Sequence, residues 1–201
     1  MQQVRRKIFK LLMGSLALTA SLALSGCNDP QLQFTGTDIT GTKLGQGWTL
    51  TGMDGKTYTS EMLKGKVSIV FFGYTQCPDV CPTSMAEMTE VMKLLGDKAS
   101  QVQVVMISVD PERDTQDVMK AYVTGFDPRF IGLTGTVDQV KKAAGSFKAY
   151  FAKSPKGQSG DYSMDHSAMF YLIDAKGESR VLLNNQVGAT AIKKDIDLLL
   201  R

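Results

Sequence analysis

The chain has 201 residues, 43% of them apolar and 21% charged, which allows one sizeable core and excludes a disordered, collagen-like or polytopic membrane protein. The formal charge of +3 rests on Arg5, Arg6, Lys7 and Lys10; without residues 1–26, 19 basic residues face 20 acidic ones. A near-neutral domain gives no electrostatic basis for nucleic-acid binding.

The first segment reads as an address. Arg5 to Lys10 form a positive n-region, and Leu11 to Leu24 form an apolar run too short to span a bilayer. The run ends in Leu24-Ser25-Gly26-Cys27, which resembles a bacterial lipobox. That resemblance implies a signal peptide over 1–26, cleaved before Cys27, and lipid attachment to the Cys27 sulfur. An ordinary signal peptide with an incidental Cys, or a retained anchor helix, is the alternative. The lipid reading places the domain in the bacterial cell envelope, facing the periplasm or the outer surface, where disulfides form. Residues 28–45, polar and rich in Thr and Gly, read as part of a lipidated tether over 27–45, leaving 46–201 as the folded domain.

Within that domain, Trp48 to Leu50, Asp54-Gly55 and Thr57 to Thr59 predict a β-hairpin. Val67 to Phe72 is a β-branched apolar run, as in a strand covered on both faces. After a loop over 73–82, Met85, Met88, Met92 and Leu95 repeat at helical spacing, with Ser84 and Glu87 as a candidate capping box. Val102 to Val109 predicts a second buried strand, followed by a helix from about Thr115. Phe130 to Leu133 predicts a short strand, and Thr136 with Gln139 a capping box opening the next helix. Residues 150–165 show no period and read as a polar loop. Ala168 to Ile173 and Arg180 to Leu183 predict a closing hairpin, and Ile192, Ile196 and Leu199 a last helix. The alternation predicts an α/β domain with a mixed central sheet, helices on both faces and an N-terminal β-hairpin. Repeats, a Rossmann fingerprint and a P-loop are absent from the sequence.

The chemistry-bearing residues fall in two segments. With Cys27 lipidated, Cys77 and Cys81 remain, in Cys77-Pro-Asp-Val-Cys81-Pro82. On a helical turn, positions i and i+4 share a face, within range of a disulfide or of one metal ion. Pro82 suits a first helical residue, with Cys81 at the N-cap; the Ser84 capping box implies a start two residues later. The second segment, Tyr162 to Met169, holds His166, the one His of the chain. It precedes the strand at 168–173, and its loop approaches the cysteine loop if that strand and the one at 67–72 are neighbours. Two thiolates and an imidazole make a soft, open site suited to Cu(I) or Zn²⁺, while a plain stabilising disulfide is the alternative for the pair. The Met85/Met88/Met92 stripe reads as core packing rather than as thioether ligands. Asp110, Glu112, Arg113 and Asp114 read as a loop with an N-cap at Asp114, or as a docking surface. Asp165 is either a solvated carboxylate or a group that orients His166.

Several stretches in this order resemble the SCO/SenC family. They are Phe34 to Thr40, Lys64 to Thr75, Cys77 to Thr83, Ile107 to Thr115, Gly132 to Gly135, Asp165 to Ser167 and Tyr171 to Asp174. Gln76 and Gln116 depart from the pattern, which often has His and Pro there. The resemblance implies a thioredoxin-like fold and one copper ion, Cu(I) and in some states Cu(II), held by Cys77, Cys81 and His166. It further implies a metallochaperone, monomeric in this reading, supplied by a periplasmic copper donor. Subunit II of cytochrome c oxidase, or another copper protein, is the implied acceptor. A thiol–disulfide oxidoreductase using Cys77 and Cys81 on the oxidase's own cysteines is the alternative, and a thiol peroxidase or redox sensor a more distant one.

Overall fold

The computed structural model describes residues 32–155 and 162–201; the lipobox and Cys27 lie outside them. The strands are β1 (Thr37–Asp38), β2 (Thr49–Gly52), β3 (Thr57–Thr59), β4 (Val67–Gly73), β5 (Val102–Ser108), β6 (Ile131–Thr134), β7 (Phe151–Pro155), β8 (Tyr162–His166), β9 (Met169–Ile173) and β10 (Ser179–Asn184). The α-helices are α1 (Val80–Leu95), α2 (Gln116–Phe126), α3 (Val137–Ser146) and α4 (Ala189–Leu199).

Eight strands form one sheet in the order β1-β10-β9-β4-β5-β6-β2-β3. Its centre is parallel, β4 on β5 and β5 on β6, and β9 pairs with β4 antiparallel. All seven residues of β4 are buried, which an apolar run without polar alternation requires. Successive side chains point to opposite faces. Val67, Ile69 and Phe71 therefore meet Met85, Met88 and Met92 of α1, Met119 of α2 and Ile192 of α4. Val70 and Phe72 meet Trp48, Val140 and Phe147 on the other side. Phe147 packs edge-on against Phe72 and Tyr171, with ring centroids 5.4 and 4.9 Å apart. Parallel strands with an antiparallel hairpin beside them and helices on both faces constitute the expected thioredoxin-like fold. The methionine stripe is core, with all three side chains at most 2% exposed.

Several local expectations change. Residues 34–45, assigned by composition to the tether, are laid onto the domain. Phe34 and Ile39 pack against the two cores, and β1 pairs with β10. The Thr35 and Gly36 N–H groups donate to the carboxylate of Asp195, at 2.7 and 2.9 Å. Asp195 is fully buried, so these two charge-assisted bonds compensate its desolvation. Within the segment 150–165, expected to be a polar loop, the described residues form two strands: β7 and β8 pair antiparallel, from Phe151 opposite His166 to Pro155 opposite Tyr162. Helix α1 begins at Val80, earlier than either sequence signal, with Asp79 at the N-cap and Ser84 buried inside the helix. Pro82 is then the third helical residue, where its missing N–H would have had no helical partner anyway. Helix α2 is capped by Thr115, whose side chain accepts from the Val118 N–H, rather than by Asp114. The Thr136–Gln139 capping box forms as the sequence predicts.

Candidate metal centre

Strand β4 ends at Gly73, and the loop to α1 carries Tyr74, Thr75, Gln76 and Cys77. Cys81 lies in the first turn of α1, and its N–H points at the Cys77 sulfur, 3.4 Å away. His166 closes β8, and its Nε2 is 3.6 Å from Cys81 Sγ. The three potential ligand atoms all lie within 4.8 Å of one another. The structure thus assembles the two segments that the sequence singled out. The loop is close-packed against the helix: a Cβ on Gly73 would stand 2.9 Å from Cys81 Sγ and 3.2 Å from Met106 Cε.

Both cysteines are free thiols, Cys77 half-buried and Cys81 buried. A hydrogen bond from Cys81, aided by the Asp79 and Cys81 N–H groups, pulls the Cys77 thiol down to about 4 against the opposing effect of its burial. The same bond, read from its donor, pushes Cys81 up, and burial adds to it. Cys77 is therefore the half-buried thiolate of the pair, while its buried neighbour keeps its proton. His166 Nδ1 lies 3.2 Å from the Ser167 carbonyl. A carbonyl only accepts, so this bond assigns the proton to Nδ1 and leaves the Nε2 lone pair facing the sulfurs. Asp165 is exposed on the alternate face of β8 and does not orient the imidazole; the backbone of Ser167 does.

Sequence reasoning missed the groups that hold the two segments in place. Asp114 is fully buried. It accepts from Thr75 Oγ1 and Ser108 Oγ, each at 2.6 Å, and from the Thr75 N–H at 3.1 Å. Burial raises its carboxyl above the ordinary range, opposed by the bonds from Ser108 and Thr75. This cluster fixes the cysteine loop to the end of β5. Asp110 is also buried; it pairs with Arg113 and accepts from the Tyr162 hydroxyl at 2.8 Å. Neither acid is a docking surface. The available signal was two acids and an Arg placed directly after a buried strand, but no local rule names their partners.

The SCO1/SenC family profile matches residues 36–201. The chain belongs to the SCO1/SenC family. Family members are cytochrome c oxidase assembly proteins, and copper-bound structures exist among them. The chain is 38% identical over 173 residues to an SCO2-like protein of Rickettsia felis, covering 85% of this chain and 84% of that one. It is similar to copper-bound ScoI of Bradyrhizobium japonicum, with TM-score 0.72 and 42% identity, over 78% of this chain and 99% of the other. It is also similar to a SCO1/SenC family lipoprotein of Bacillus anthracis, with TM-score 0.70 and 26% identity, over 84% of this chain and all of the other. In this SCO1/SenC chain Cys77, Cys81 and His166 converge as a potential metal site, and among the described residues no other group of three such side chains does so. No helix among the described residues is long and apolar enough to cross a membrane.

Proposed function

We propose that this chain is a membrane-tethered copper metallochaperone of the bacterial envelope, in which Cys77, Cys81 and His166 hold one copper ion as cargo for the copper centre of cytochrome c oxidase. The observation that carries the reading is the donor set. Two sulfurs and an Nε2 lone pair lie within 4.8 Å of one another, with the other imidazole nitrogen already bonded. Soft sulfur donors select Cu(I), and three ligands leave a coordination position through which an acceptor can exchange. The copper-bound relative supports the choice of metal. The Leu24-Ser25-Gly26-Cys27 motif and the lipoprotein relative support a lipid anchor at Cys27, with 1–26 as its signal peptide.

The test is an anaerobic Cu(I) titration of the reduced chain beginning at Asn28, against a competing chelator. One copper per chain, bound more weakly after His166→Ala, is the expected result. No competitive binding refutes the reading, as does stoichiometric binding by the oxidised chain, which offers no thiolate. For the anchor, Cys27→Ser should release the protein from the membrane fraction.

The opposite shifts of the two thiols favour a second activity of the same pair. A thiolate beside a protonated thiol is the polarity of a thiol–disulfide reductant: Cys77 attacks, and Cys81 resolves the mixed disulfide. In that activity His166→Ala leaves disulfide reduction intact while weakening copper binding, so one variant separates the two duties.

A further inference from the structure

The potential metal site is divided between two structural bodies. Both cysteines belong to the β4–α1 junction of the main sheet, whereas His166 ends a two-stranded ribbon that shares no ladder with that sheet among the described residues. Something must set the distance between them. Met164 buries the ribbon's inner face, but an apolar contact is not directional. The Lys153–Glu112 pair is exposed at both ends and contributes little.

We infer that Arg113 is a positioning residue, whose guanidinium joins the cysteine loop to the histidine ribbon and thereby sets the place of His166 Nε2 against the sulfurs. The inference rests on the copper reading above. Arg113 Nη1 donates to Gln76 Oε1 at 3.0 Å, beside Cys77, and to the Tyr162 carbonyl at 3.1 Å, on the strand that ends in His166. The guanidinium carbon lies 3.8 Å from the centroid of the Tyr162 ring, so the charge stacks on the ribbon's aromatic face. Nε pairs with the buried Asp110, whose N–H donates to Ser108 Oγ at 3.0 Å at the end of β5. The Tyr162 hydroxyl closes the ring of contacts on Asp110. The sheet thus supplies a fixed post, and one planar cation reaches both halves of the site. Lysine has neither the fork nor the plane, and does not replace it.

The test is a double-mutant cycle on Cu(I) affinity with Arg113→Ala, His166→Ala and both, together with backbone amide exchange of the copper-free chain. Changing a group that orients a metal ligand costs about 10–100-fold in metal affinity. Arg113→Ala should cost that much with His166 present and under about threefold with His166 already removed, because its effect passes through the imidazole. Amide exchange in β8 should rise about tenfold in the variant, in keeping with one lost stacking and bonding group, while β4 and β5 keep their protection. Arg113→Lys should resemble Arg113→Ala in both readouts, which separates the fork from the charge and covers any failure of the alanine variant to fold. Equal losses in both backgrounds, or no loss with His166 present, overturn the positioning role. If His166→Ala itself leaves copper affinity unchanged, the copper reading fails, and exchange decides the matter alone: unchanged protection in β8 overturns the inference and a selective rise supports it.

Discussion

Gly73→Ala tests how tightly the sheet holds the thiol of Cys81. The added methyl would stand 2.9 Å from Cys81 Sγ and 3.2 Å from Met106 Cε, against the usual carbon contact of about 3.5–4.0 Å. Sγ belongs to the short, buried side chain of a residue in the first turn of α1, so it cannot swing away freely; the turn or β4 must give by several tenths of an ångström. Overpacking of this kind costs about 1–3 kcal/mol. For a domain of this size that lowers Tm by about 2–4 °C per kcal/mol. Under the proposed copper reading, displacing one of the three donor atoms should also weaken Cu(I) binding, by about tenfold for each 1.4 kcal/mol diverted from the site. Gly125→Ala provides the opposite expectation. Gly125 lies within α2 with nothing within 4 Å of its added methyl, so alanine there should stabilise by about 0.5–1 kcal/mol. The assay is thermal unfolding of both reduced variants without copper, followed by chelator competition. Equal Tm changes of the same sign in the two variants would refute the packing argument. An unchanged copper affinity in Gly73→Ala would refute the claim that its contact reaches the site.

Further outcomes follow from the charges and the bonds. Cys77 is a thiolate above about pH 4 while Cys81 keeps its proton, so binding by both sulfurs releases one proton. Cu(I) affinity should then rise about tenfold per pH unit between about pH 7 and 8.5, above the ordinary imidazole range. In the same vein, iodoacetamide at pH 6 should label Cys77 and spare Cys81, as peptide mass mapping reads directly; equal labelling would contradict the assigned polarity. Asp114→Asn takes the charge from a carboxylate that receives Thr75 and Ser108 bonds, and should cost about 1–3 kcal/mol in urea unfolding while weakening copper binding. Asp195→Ala leaves the Thr35 and Gly36 N–H groups without an acceptor, and should expose residues 34–40 to limited proteolysis before the rest of the domain.

What the sequence disclosed follows from how local each signal is. Strands β4 and β5, the α1 methionine stripe and the Thr136–Gln139 box depend on neighbours a few residues apart, and all are found where the pattern put them. Cys77 and Cys81 announced themselves by spacing, and His166 by being alone of its kind. The β7–β8 ribbon was invisible because Met164 is the one buried residue of its two strands, so period-two alternation never develops along it. The strap over 34–45 was invisible for another reason: its acceptor, Asp195, is 160 residues from Thr35. The α2 cap was misassigned because Asp114 and Thr115 both suit the role by residue type. Only the folded chain shows that Thr75, 39 residues upstream, has already engaged the carboxylate.

The division of the site between sheet and ribbon bears on how long cargo stays bound. A metal held wholly within one core leaves only when bonds to it break or the core opens. In the proposed site the third donor is carried by β8, which is held by its ladder with β7, by the buried Met164 and by the Arg113 and Tyr162 contacts rather than by a main-sheet ladder, so the imidazole can withdraw by a local opening while both sulfurs remain in place at the β4–α1 junction. Under the proposed function, residence time and affinity become separately adjustable. Substitutions in β7 would change the lifetime of the three-coordinate state, and with it the rate of hand-over, without altering a ligand.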